Sequence, residues 1–247
     1  MIPAYLEVPS TAFTNVQKLA AGGVGEVYLA QICDQKLSMR AQHYPYCVAK
    51  VLRLETPNSS MEFAQEIALM NYLGSHHNIA KLIGYCMQPK TILMKHYPLG
   101  SLSGFIQNGI QGVPYRQDVI FNIVHGIACA IEFMHERQVA HCDLKPANVL
   151  LEFMAPRSFA LRPLLADFGI SRVLNPQSLA VTAFKTVDID GVSMRYAAFE
   201  HIVRFIKGSS EMDGSPVVIS RTDIYATGAI IYELLTRRPP WTYIHQN

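Results

Sequence analysis

Pro98 marks a change of period in this chain. Before it, apolar residues gather in short strand-like runs; beyond it, they recur at helical spacing. Residues 19–30 form a glycine-rich turn followed by Val27 and Leu29 alternating with Tyr28 and Ala30, and residues 47–54 carry the Val and Leu content of a buried strand. Residues 80–87 and 91–97 read as two more strands joined at Gln88-Pro89-Lys90, and the polar stretch 31–46 reads as a loop ending at Pro45. One helix is expected in this half, at 60–73, entered through Ser59-Ser60 caps, with Phe63, Ile67, Met70 and Leu73 on one face. After Pro98, residues 119–135 line up Ile120, Ile123, Ile127, Ile131 and Met134, and 223–235 is a second apolar helix. Strands first and helices after predict an α+β chain of two lobes with a cleft between them, the usual place for a ligand.

The composition narrows the partners. A net charge of +2 offers no polyanion footprint, so nucleic acid is not expected. Five scattered cysteines, with no C-x-x-C pair, predict reduced thiols in a cytoplasmic protein. The opening residues lack the basic and apolar regions of a signal peptide and are expected to lie over the surface of the strands after them. No run approaches 18 uninterrupted apolar residues, so no membrane span is expected.

The most informative stretch is His141-Cys142-Asp143-Leu144-Lys145-Pro146-Ala147-Asn148-Val149-Leu150-Leu151. It resembles the catalytic loop of protein kinases, H-R-D-L-K-P-x-N, and the resemblance extends over residues 13–241. Phosphoryl transfer asks a protein for positioning and charge neutralisation more than for covalent chemistry. The resemblance casts Asp143 as the base that takes the proton of the incoming hydroxyl, and Lys145 as a point charge on the transferred phosphate. Asn148 offers a carbonyl oxygen to magnesium, a hard cation.

Other residues match the same family. Ala166-Asp167-Phe168-Gly169 resembles D-F-G, which makes Asp167 a second ligand for Mg2+. Lys50 resembles the strand lysine that contacts ATP, and Glu66 its helical partner. Gly22, Gly25 and Val27 fit G-x-G-x-x-G-x-V with Ala20 in the first glycine position; an ordinary hairpin turn explains that segment equally well. The resemblance further implies an adenine pocket of Val27, Val48 and Leu150, a gatekeeper Met94 and a hinge ending at Tyr97, and core packing accounts for the same side chains. The implied fold is protein kinase-like: residues 10–247, with a β-rich N-lobe over about 10–95 and a helical C-lobe over about 96–247.

Several departures qualify the match. Cys142 replaces the arginine that binds an activation-loop phosphate in many kinases, which predicts independence from that switch. The loop carries Ser178, Thr182, Thr186 and Ser193, and Ser193 takes the position that contacts Asp143 and Lys145 in Ser/Thr kinases. Phe199 stands before Glu200 where A-P-E has proline. Residues 152–165 are longer than the usual hairpin and read as a surface insertion. Asp223 resembles the buried aspartate at a helix start that holds the catalytic-loop backbone. The helices that come after Trp241 in the family are not present, so the C-lobe is expected to lack its last helices and to expose an apolar face to a partner.

The expected function is therefore a Ser/Thr protein kinase acting on protein substrates with ATP and Mg2+. Gly84-Tyr85-Cys86, Gly100-Ser101-Leu102 and Ile2-Pro3 resemble the tyrosine-kinase-like group. The alternative is a pseudokinase or nucleotide-binding scaffold, inactive because the last helices are missing.

Overall fold

A computed structural model describes residues 2–21, 25–52, 59–155, 158–174, 193–199, 202 and 216–242. The chain divides into two compact units, Met1–Ser75 with Ala80–His96, and His76–Ile79 with Tyr97–Asn247.

The first unit is built on a five-stranded antiparallel sheet of order β1-β2-β3-β5-β4. Its strands are β1 (Phe13–Ala21), β2 (Gly25–Ile32), β3 (Tyr46–Leu52), β4 (Leu82–Met87) and β5 (Lys90–Lys95). Strand β1 is absent from the sequence reading because it is an edge strand: only Phe13 is buried, so no alternation marks it. The supposed loop 31–46 also needs correction. It holds a short helix, α1 (Gln35–Arg40), whose cap is Asp34 accepting from the Leu37 amide at 2.8 Å. Leu37 is fully buried and anchors the helix to the sheet.

The face of the sheet carrying Ala30, Cys47, Ala49 and Leu93 is closed by Leu37 and Ala41 and by Val8 and Ala12 of the N-terminal segment. The opening residues thus do lie over the sheet, in two 3₁₀ turns, Ala4–Leu6 and Ser10–Ala12, with Leu6 and Val8 buried. Helix α2 (Ser59–Leu73) comes after β3, and all four positions of its expected face, Phe63, Ile67, Met70 and Leu73, are buried.

The second unit is mostly helical, with α3 (Leu102–Asn108), α4 (Gln117–Glu136) and α5 (Pro216–Thr236). Ser101 caps α3 by accepting from the Gly104 amide, and Gly109 at φ 70° ends it. In α4, Val119 is buried and Ile120 only half-buried, so the apolar stripe is rotated by one residue from the expected one at its start. Strands β6 (Val139–Ala140) and β9 (Arg172–Val173) form one small ladder, and β7 (Val149–Phe153) and β8 (Leu161–Leu165) another. Among the described residues α4 alone has the length and hydropathy of a membrane span, yet its buried positions pack against β8 and α5. Helix α5 begins well before Asp223, which therefore lies within the helix and not at its start.

The expected surface insertion at 152–165 is in fact half of the β7–β8 hairpin, with Leu161, Leu164 and Leu165 buried. Pro163 packs where α4 has Gly126; a Cβ there would sit 2.6 Å from the proline ring. Asn78 locks the same place, its side chain donating to the Pro163 carbonyl at 2.8 Å and its carbonyl accepting from the Leu165 amide at 2.9 Å. These bonds are why residues 76–79 belong to the helical unit.

Candidate active site

The loop after β6 takes its shape from a buried carboxylate on α5. Asp223 accepts from the backbone amides of His141 at 2.8 Å and Cys142 at 2.9 Å, and it meets His135 Nε2 at 2.9 Å. Cys142 holds φ 66°, an uncommon conformation for a residue with a Cβ, and two charge-assisted bonds on adjacent amides offset that strain. The His141 ring is fixed at both nitrogens. Nδ1 accepts from the Asp143 amide at 3.3 Å, so Nε2 carries the proton and donates to the Ala166 carbonyl at 3.0 Å.

On this frame the predicted residues of the helical unit come together. Lys145 Nζ donates to Asp143 Oδ2 and to Ser193 Oγ, each at 2.7 Å. Asn148 Nδ2 donates to the same carboxylate oxygen at 3.0 Å and to the Asp143 carbonyl at 2.8 Å. Both amide protons of Asn148 are thereby used and its carbonyl oxygen Oδ1 remains as an acceptor. Asp143 Oδ1 takes no hydrogen bond among the described residues. The Ala166 amide donates to the Asn148 backbone carbonyl at 2.9 Å, which sets Asp167, at φ 63° and exposed, directly beyond Asn148.

No group of three His, Cys, Asp or Glu gathers among the described residues, so there is no closed metal cage. The Asn148 side-chain carbonyl and the Asp167 carboxylate are both hard oxygen donors, on residues that the Ala166–Asn148 backbone bond brings near each other. That fits magnesium, which binds through one or two protein oxygens and fills its shell with water and phosphate.

Residues 193–199 are tied to α5 by Tyr196, whose hydroxyl donates to Glu233 Oε2 at 2.5 Å. Burial and that carboxylate push the phenol pKa well above its ordinary value. Cys142, Asp143, Ser193, Tyr196, Thr222 and Asp223 border a cavity of about 10 Å³, room for one water at most. Cys142 itself packs with Ala140, Leu174, Ile170 and Ile219, an apolar setting where the family has a cation.

In the sheet unit, Lys50 Nζ bonds both oxygens of Glu66, at 2.7 and 3.0 Å, and both side chains are buried. The strand register puts Val27, Val48, Lys50 and Met94 on one face, opposite the face closed by α1. Val27, Val48 and Met94 are half-buried. Gly25 lies in β2, where an added Cβ would come within 2.2 Å of the Val51 carbonyl oxygen. The close approach of β3 by itself thus requires glycine there.

Tyr97 and Leu150 belong to the helical unit. Tyr97 is buried, and Leu150 is half-buried opposite Leu164. Gly22, Ser178, Thr182, Thr186 and Glu200 lie outside the described residues. The sequence reading missed the His135 and Glu233 contacts. Each joins residues far apart in the chain, and a buried acid with an aromatic or imidazole elsewhere is a signal too general to pair them.

The comparisons with known proteins agree with this geometry. Residues 13–247 match the model of the protein kinase domain. The chain is 29% identical over 242 residues to a probable serine/threonine-protein kinase, PBL18, from Arabidopsis thaliana, covering 95% of this chain and 55% of that protein. It is 27% identical over 233 residues to serine/threonine-protein kinase STY46 of the same plant, covering 92% and 34%. U-box domain-containing protein 34, also from Arabidopsis thaliana, is 26% identical over 232 residues, covering 92% of this chain and 25% of its own length. The chain belongs to the protein kinase domain family. It spans between about a quarter and about half the length of these relatives.

Proposed function

We propose that this chain transfers the γ-phosphate of ATP to serine and threonine hydroxyls of protein substrates, with Asp143 as the base. The observation that carries the proposal is the placement of Lys145 between Asp143 and the hydroxyl of Ser193. Asp143 Oδ2 is occupied by two donors while Oδ1 is open to accept a proton from an incoming hydroxyl. The Lys145 ammonium beside it offers charge for the transferred phosphoryl group. A seryl hydroxyl held next to that ammonium supports a Ser/Thr acceptor, as does the naming of the two plant relatives as serine/threonine-protein kinases.

Val27, Val48, Met94, Tyr97 and Leu150 are proposed to contact the adenine, Gly22 and Gly25 to run close to the phosphates, and Lys50 to be aimed at them by Glu66. Asn148 and Asp167 would hold Mg2+, which when bound supplies charge neutralisation on the phosphates. Five cysteines outside any disulfide suit a reducing compartment, and we place the protein in the cytoplasm on that ground.

The test is transfer of phosphate from Mg-ATP to a generic Ser/Thr protein, with this chain compared with Asp143→Asn. Transfer that is lost in the variant supports an enzyme with Asp143 as base. No transfer from the unmodified chain, with nucleotide binding retained, would replace the proposal by a nucleotide-binding scaffold.

A further inference from the structure

Helix α2 carries Glu66, and side-chain bonds tie it down in its first turn, its middle and its last turn. Lys90 donates to Ser60 in the first turn, Lys50 bonds Glu66 in the middle, and the Tyr5 hydroxyl donates to Asn71 Oδ1 in the last turn at 2.7 Å. Only the third of these comes from outside the sheet. Tyr5 sits in the N-terminal segment and is itself exposed, so burial does not fix it.

Arg40, at the end of α1, does fix it. Its guanidinium donates through Nη2 to the Tyr5 carbonyl at 2.5 Å and through Nη1 to the Ile83 carbonyl at 3.2 Å. One planar cation thus clips the N-terminal segment to β4. Two residues on, Glu7 forms a parallel bridge with Tyr85, and the Val8 amide donates to the Tyr85 carbonyl at 2.9 Å. The Tyr85 ring in turn meets Phe63 of α2 edge-on, with centroids 6.1 Å apart. Phe63 is three residues from Glu66, on the same side of the helix.

We infer that the N-terminal segment is a brace for α2, and that Arg40 and Tyr5 are positioning residues for the Lys50–Glu66 pair. Two routes converge on the helix: one through Tyr5 to its last turn, the other through Tyr85 and Phe63 to the turn that bears Glu66. The first depends on Arg40, whose clip holds Tyr5 beside β4; the second shares the load with the Glu7–Tyr85 bridge and the buried Leu6 and Val8. The short helix α1 thereby has a task in the site: it delivers Arg40. The effect on transfer rests on the kinase reading proposed for this chain, whereas the effect on the Lys50–Glu66 pair does not.

The experiment uses the full chain with Arg40→Ala, Arg40→Lys and Tyr5→Phe. The first readout is the rate at which a small amine-acylating reagent labels Lys50, followed by peptide mass spectrometry, with Lys18 as internal reference. Arg40→Ala should raise Lys50 labelling about fivefold, the shift expected for one or two lost hydrogen bonds. Tyr5→Phe should raise it less, Arg40→Lys should restore most of the protection, and Lys18 should not change. Phosphate transfer should fall in the same order, through kcat and not through KM for the protein substrate.

Lys50 labelling unchanged in Arg40→Ala would overturn the inference, and so would labelling that rises equally at Lys18, which is general loosening. Should Arg40→Ala fail to fold, Tyr5→Phe decides, since it removes a single exposed hydroxyl. An unmodified chain that transfers no phosphate would sink the enzymatic reading and leave the labelling result standing.

Discussion

Lys50 meets both carboxylate oxygens of Glu66, at 2.7 and 3.0 Å, with side chains only 11% and 4% exposed. So little water reaches the pair that their mutual bonds count for much. Removing one partner takes a bidentate, charge-assisted contact from a buried charge, at a cost of roughly 1–3 kcal/mol. Glu66→Gln and Lys50→Met should each lower the denaturant midpoint accordingly. The double variant Lys50→Met with Glu66→Leu should be more stable than either single one. Additive losses in the double variant would show that the pair is not coupled.

Gly25 separates two reasons for a glycine. If it serves only phosphate approach, Gly25→Ala should alter nucleotide binding and leave the nucleotide-free protein as stable as before. The 2.2 Å clearance to the Val51 carbonyl predicts otherwise. The β2–β3 ladder must part, and stability should fall by about 1–3 kcal/mol without any nucleotide. Thermal unfolding of the nucleotide-free variant reads this directly.

Cys142 lies among Ala140, Leu174, Ile170 and Ile219, and its thiol carries no charge to pair with a loop phosphate. Phosphatase treatment should therefore leave the transfer rate unchanged. Cys142→Arg buries a cation in that cluster and should destabilise the chain by about 1–3 kcal/mol. A rate that collapses on dephosphorylation of the unmodified chain would contradict this reading.

Two histidines set a pH slope. Burial lowers the pKa of His76, helped by His77 and Arg137, and burial alone lowers that of His96, whose Nδ1 has no partner among the described residues. Both titrate below 6.5 in the folded chain, so as pH falls through the ordinary histidine range the unfolded state binds more protons. Stability is then fully present above that range and is lost on acidification. The unfolding midpoint should drop between about pH 7.5 and about pH 5.5, with a shallower drop in His76→Gln. An equal slope in that variant would remove His76 from the account.

What the sequence made legible was chemistry at fixed spacing. The run from His141 to Leu151 could be read because it resembles the protein kinase catalytic loop at fixed positions. Helix α2 could be read because its four core positions keep helical period and all are buried. Strand β1 was hidden by its exposure, and α1 by its shortness, announced only by the Asp34 cap. Strand β8 was hidden because 152–165 was read by its length as an insertion, and the packing of Pro163 on Gly126 of α4 that holds it has no local signal. The hold of Asp223 on the loop could be expected only through the family resemblance, whereas its contact with His135 and that of Tyr196 with Glu233 join distant residues and leave no local trace.

The distance between Asp223 and His141 has a consequence for synthesis. The two are 82 residues apart, so at 5–20 residues per second a ribosome adds the carboxylate about 4–16 s after the loop it holds. During that interval the growing chain already carries Asp143, Lys145 and Asn148, while the amides of His141 and Cys142 lack the carboxylate that accepts from them. Cys142 then relaxes from its positive φ, and the three side chains do not converge. A half-made chain therefore holds these side chains without the carboxylate that arranges them, and an early loop waits for a late helix to set it.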